Sequence, residues 1–246
     1  MLKFRKIIGA LLVLALFTCS LASCQKKTED VLEKADKALE NTAYAVDVRL
    51  EYSSEDEDVK AAIDSFSKPS MKIYVDGDKF QGRMDIKLNG EKNHITYTYV
   101  DGVLYTEWRE NGKTVQNSET LGDTDKSVIT ESYGAGANVS TDDFESVSIE
   151  TSGKVSVITC ETIKDDALIA LVNSLKSELA LAGFNANVAL KNAKLEIEVN
   201  NGKYNITILT CLYYITTPVD TYSIEMKYTC RFDYDAEFEI TAPNFD

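Results

Sequence analysis

The chain has 246 residues with 40 acidic against 26 basic side chains, a formal net charge of −14. Such a surface disfavours nucleic acid, which rewards clustered Lys and Arg, and it is also repelled by anionic lipid headgroups. The length suits one well-buried domain or two small ones.

The first element is an address. Lys3, Arg5 and Lys6 precede an apolar run from Ile7 to Phe17, shorter than the roughly 20 residues a membrane-spanning helix needs. Residues 1–23 therefore read as a signal peptide. Leu21, Ala22 and Ser23 stand directly before Cys24 and resemble the bacterial lipobox, in which a leucine and two small residues precede the cysteine that is lipidated. The earlier Cys19 follows bulky Phe17 and lies at the end of the apolar run, so it is expected to leave with the signal. The expected mature protein is one domain, residues 24–246, carrying diacylglycerol on Cys24. Two or more acyl chains anchor stably where one is marginal. The expected location is thus outside the cytoplasm, lipid-anchored to the bacterial cell membrane.

"TEDVLEKADKALENT", from Thr28 to Thr42, places Val31, Leu32, Ala35, Ala38 and Leu39 on one helical stripe. Strict alternation follows. Tyr44, Val46, Val48, Leu50 and Tyr52 share one strand face, and Phe80, Met84, Ile86 and Leu88 another, with Gly82 read as a bend. Asp76-Gly77, Asn89-Gly90, Asp101-Gly102, Asn111-Gly112 and Asn201-Gly202 each separate a pair of strand-like runs and suit tight hairpins. Ser118 to Ser146, rich in Gly, Ser, Thr and Asp, reads as a long loop or lid. A second amphipathic helix is expected over Asp165–Ala182. Near the C-terminus Tyr222, Ile224, Met226, Tyr228, Cys230, Phe232 and Tyr234 alternate with polar residues. The expected fold is α+β: a large curved antiparallel sheet, a half-barrel meander of about ten strands, covered by two amphipathic helices.

Catalytic chemistry finds no support. His94 is the one histidine, no GxSxG or HExxH occurs, and "SFSK" (Ser65 to Lys68) lacks the partner motifs of penicillin-recognising enzymes. "SSEDEDVK" and "GDTDK" lack EF-hand spacing and read as solvated loops. No enzyme, metal site or cofactor is expected. Cys160, Cys211 and Cys230 sit in strand-like runs; two could oxidise, but burial as free thiols is the favoured reading.

The candidate site is a groove. Tyr44, Val46, Val48, Tyr97, Tyr99, Tyr222, Ile224, Met226, Tyr228 and Phe232 all fall on apolar strand faces. Most must pack a core, but tyrosine also suits a cavity wall, offering apolar area and a hydroxyl. The lipobox, the helix close after it, hairpins such as "YVDGVLYTEW", the second helix and the long final strands together resemble the LolA- and LppX-like lipoprotein superfamily. The resemblance is architectural and implies a helix-covered half-barrel, with lipid or acyl-chain cargo in several members. The expected function is non-catalytic: a tethered lipoprotein that binds or carries a hydrophobic ligand. The alternative is a surface lipoprotein with a filled core, acting through protein contacts. Only Gln25, Lys26 and Lys27 separate Cys24 from the expected helix start, which keeps the domain beside the bilayer.

Overall fold

The computed structural model describes residues 26–57, 60, 70–88, 91–110, 112–121, 141–169, 172–173, 176, 187–216 and 220–245. Helix α1 (Lys26–Asn41) opens them. It starts two residues before the expected Thr28 and buries the expected stripe. Thr28, Leu32 and Ala35 are buried, and Val31, Ala38 and Leu39 half-buried. That is the i, i+4, i+7, i+11 spacing of one helical face.

Eleven strands follow: β1 (Tyr44–Ser53), β2 (Ser70–Asp76), β3 (Lys79–Leu88), β4 (Glu91–Val100), β5 (Val103–Glu110), β6 (Lys113–Thr120), β7 (Phe144–Ser152), β8 (Val155–Ile163), β9 (Asn187–Asn200), β10 (Lys203–Thr216) and β11 (Thr221–Asp233). They form one open antiparallel sheet in the order β6-β5-β4-β3-β2-β1-β11-β10-β9-β8-β7. Two meanders, β1–β6 and β7–β11, are therefore joined at the centre by the first and last strands, with Val46 opposite Phe232 and Leu50 opposite Tyr228. The hairpins turn where expected: Asp101 and Gly102 (φ 53° and 80°), and Asn201 and Gly202 (52° and 75°), take the left-handed pairs that tight hairpins require.

The structure overturns the expected fold class. The protein is mostly β, an open sheet, and two amphipathic helices do not cover it. The reason is size. Eleven strands about 4.8 Å apart span roughly 48 Å, whereas α1, at 16 residues, is about 24 Å long and packs chiefly on β10 and β9. Of the expected second helix, residues 165–169, 172–173 and 176 are helical, with Ala167, Leu168 and Val172 against the core; the rest lies outside the described residues. The expected loop is shorter at both ends, because β6 runs to Thr120 and β7 begins at Phe144.

The core lies on the side where α1 packs, the helix face. Its rows follow the register: Met71, Val48, Cys230 and Thr207 in one, Ile158, Ile197 and Thr207 meeting it from the other half. Two irregularities keep long strands on this face. Between Tyr204 and Ile206 of β10, and between Leu212 and Tyr213 opposite β9, the register shifts. Tyr204 and Thr207, and likewise Leu190 and Ala193, therefore all point into the core although their spacing is odd.

The last residues form an element absent from the expected fold. Beyond β11, Ile240 is buried and Ala236 and Phe238 half-buried, while Glu237 and Glu239 are exposed. The Phe238 ring lies 5.0 Å from that of Tyr74 in β2, and Phe245 5.5 Å from Tyr105 in β5. Tyr74, Gln81, Thr98 and Tyr105 are cross-strand neighbours in one row on the face opposite α1. Residues 236–245 are thus a strap across β2 to β5. Beneath it the short Gln81 and Thr98 side chains hydrogen-bond each other at 3.3 Å.

Candidate functional site

All ten groove residues lie on the helix face, so the alternation assigned the right side of each strand. Their burial divides them. Tyr44, Val46, Val48, Tyr99, Met226, Tyr228 and Phe232 are buried, whereas Tyr97, Tyr222 and Ile224 are half-buried. The first seven are core: Tyr44, Phe232 and Tyr204 are in aromatic contact, with ring centroids 6.2 and 5.6 Å apart. The partly open positions cluster elsewhere, at Tyr97 in β4 with Leu104, Thr106 and Trp108 in β5, and at Tyr222 and Ile224 where β11 begins.

Gly82 stands beside the first cluster. It lies in the interior of β3, on the helix face, between Phe80 and Met84 along the strand and between Ile73 and Tyr97 across it. It is buried, yet a Cβ placed on it would meet no heavy atom within 4 Å. The expected bend is absent, since pairing with β2 and β4 continues through Gly82 without a shift.

Several polar groups of the helix face are held in pairs. The Tyr204 hydroxyl donates to Asp36 Oδ1 at 2.7 Å and so fastens α1 to β10. Burial holds the Asp36 carboxyl above the usual carboxylate range, with the Tyr204 hydrogen bond acting against that shift. Tyr213 hydrogen-bonds Cys211, and Tyr228 hydrogen-bonds Cys230. Burial pushes the two thiols up to about 12 and about 11. Both stay protonated near neutrality and are poor nucleophiles. Cys160, Cys211 and Cys230 are buried thiols outside any disulfide, as favoured from their strand positions.

On the opposite face a cavity of about 350 Å³ is lined by Asp47, Arg49, Glu51, Ser70, Lys72 and Asp85, among others. Its charges pair in solvent, Arg49 with Asp47 at 3.3 Å, and Arg83 with Asp85 at 3.2 Å beside it. Exposed pairs of this kind contribute little. His94 is half-buried within β4, opposite Asp85. Among the described residues no group of three or more His, Cys, Asp or Glu is placed to hold a metal ion, and no helix is long and apolar enough to cross a membrane. Leu21, Ala22, Ser23, Cys24, "SFSK" and "GDTDK" lie outside the described residues.

Sequence reasoning misread Gly82 as a bend and missed the strap. The signal for Gly82 was a glycine at an apolar position of an otherwise regular strand. For the strap it was the period-two pattern of Ala236, Phe238 and Ile240 against Glu237 and Glu239. No protein-family model matches the chain, and a comparison with curated proteins finds no match either.

Proposed function

We propose that this chain is a non-catalytic lipoprotein, anchored outside the cytoplasm of a bacterial cell through diacylglycerol on Cys24, that binds a hydrophobic ligand on the helix face of its sheet. One observation carries the binding component: Tyr97 in β4 and Leu104 and Trp108 in β5 remain half-buried on that face, five and six strand positions (about 24 and 29 Å) from β10. Large amphipathic side chains left partly open on an apolar face suit a ligand with an apolar body and a polar end. The anchoring component rests on the sequence before α1, and the start of α1 at Lys26 leaves only Gln25 between Cys24 and the helix. Kinship to LolA- and LppX-like lipoproteins belongs to the same proposal, without their helical cover.

The test is native mass spectrometry of the protein purified from its own membrane. A lipid mass retained beyond that of the anchor is the expected result. Bare protein that also takes up no fluorescent fatty acid would end the binding reading. A specific observation favours the alternative of a filled core acting through protein contacts: seven of the ten groove residues are buried.

A further inference from the structure

We infer that the edge strand β6 is a self-complementary interface, through which two copies of this chain join their sheets antiparallel about a two-fold axis. β6 ends the sheet, and among the described residues it pairs only with β5. Every residue of it but Val115 is exposed. It has no proline and no register shift, two of the devices that close an edge to further pairing. The register with β5 fixes which backbone groups face outward. The Leu121 N–H donates to the Gly102 carbonyl at 3.1 Å. Bonded pairs alternate with non-bonded pairs along an antiparallel ladder. The odd-numbered residues of β6 therefore bond to β5, and Thr114, Gln116, Ser118 and Thr120 turn their N–H and C=O groups away from the sheet. A second β6 laid with Gln116 opposite Gln116 pairs these groups. Gln116 exchanges both bonds with its own copy, and Thr114 does so with Ser118.

Charge selects the partner and the register. Lys113 and Glu119 are the charged residues of β6; both are exposed, and both lie on the helix face, one at either end. With Gln116 on the axis, Lys113 of each copy falls opposite Glu119 of the other. The neighbour of Glu119 within its own sheet is Leu104, which offers it no charge. A slip of two residues in either direction breaks both pairs, and a slip of one turns the faces against each other. The other edge, β7, carries Glu145 and Glu150 and no cation, so it has no such reciprocity. The chain as a whole is strongly acidic and its copies repel, whereas β6 is neutral. An edge of 8 residues, about 26 Å long, is a small interface, at the weak end for free chains. The two-fold axis stands normal to the sheet, which keeps both helix faces, and α1 of both copies, on one side. Two chains anchored through Cys24 to one membrane can therefore meet this way, at a raised effective concentration. The interface needs no ligand.

The test is sedimentation velocity on the full chain with Cys24→Ser, over a dilution series. A reversible monomer–dimer equilibrium is expected. Lys113→Glu and Glu119→Lys each set like charges opposite one another at both ends, and each is expected to weaken its own dimer roughly 2–30-fold. Mixed together, the two variants regain both opposite-charge pairs and are expected to associate about as well as the unsubstituted protein. Gln116→Pro removes the outward N–H on the axis and no bond to β5, so it is expected to abolish the dimer and leave the melting temperature near that of the parent. The charge variants change only exposed side chains, so they report on the interface even where Gln116→Pro perturbs the strand. A monomer throughout a series reaching millimolar concentration would overturn the inference. So would a dimer that ignores both charge reversals, or a mixture of the two variants that stays dissociated. Open-ended oligomers in place of dimers would also overturn it, because they mark pairing of β6 with β7.

Discussion

The two halves of the sheet share one core on the helix face, and the β1–β6 half is braced on the opposite face as well. In the β7–β11 half, strands of up to 14 residues carry α1 on the helix face, and Ile158, Cys160, Leu195 and Cys230 are completely buried. In the β1–β6 half, the outer strands are 8 residues long and β6 is exposed except at the half-buried Val115. There the strap crosses the face opposite α1, while the helix face keeps Gly82 and the half-buried Tyr97, Leu104 and Trp108. The core continues through β1 to β4, with Val46, Ile73 and Phe80 buried, and partial exposure begins at Tyr97 and in β5.

The largest test of this difference is a pair of truncations. Leu195→Ala, at a fully buried site, should cost about 2–5 kcal/mol in urea unfolding. Leu104→Ala, at a half-buried site, should cost well under half as much. Equal losses would mean the halves are packed alike. Next in size is removal of the strap by ending the chain at Asp235. Burial of a side chain such as Ile240 is worth about 1.5–3 kcal/mol, so hydrogen exchange should accelerate in β2–β5 and stay near wild type in β8–β10. Uniform acceleration would show that the strap supports the whole sheet.

Smaller effects probe the α1 clasp. Tyr204→Phe deletes the hydrogen bond to Asp36 and should cost about 1 kcal/mol. The pH dependence has a definite sign. Because Asp36 is raised above its unfolded value near 3.8, folding is favoured fully below that pH and loses this contribution as pH rises through the folded value. Asp36→Asn should therefore match wild type in acid and gain on it as the pH rises past that window. Parallel urea midpoints across pH would show that the carboxyl is not effectively buried.

What was legible in the sequence followed from local periodicity. The alternation of Tyr44 to Tyr52 and of Tyr222 to Tyr234, and the stripe of α1, reappear as the buried faces because a period-two or 3.6 pattern can be satisfied only one way. The pairing of β1 with β11 was not legible, since it joins residues some 180 positions apart that carry no mark of each other. The helix cover was over-read: an amphipathic stripe says that a helix packs, not how much sheet it shields. The candidate groove mixed core with opening for a similar reason. Tyr97 and Tyr99 look alike in sequence, yet Tyr99 stacks on Phe80 whereas Tyr97 faces the missing side chain of Gly82. An absent side chain leaves no apolar signal to count.

The most direct measurement is amide hydrogen exchange on the full-length Cys24→Ser protein, with and without a bound long-chain fatty acid. Protection gained in β2–β5, centred on residues 97–108, with β8–β10 unchanged, is the expected result. Protection gained instead beneath α1 in β9 and β10, or nowhere, would contradict a ligand site in the braced half.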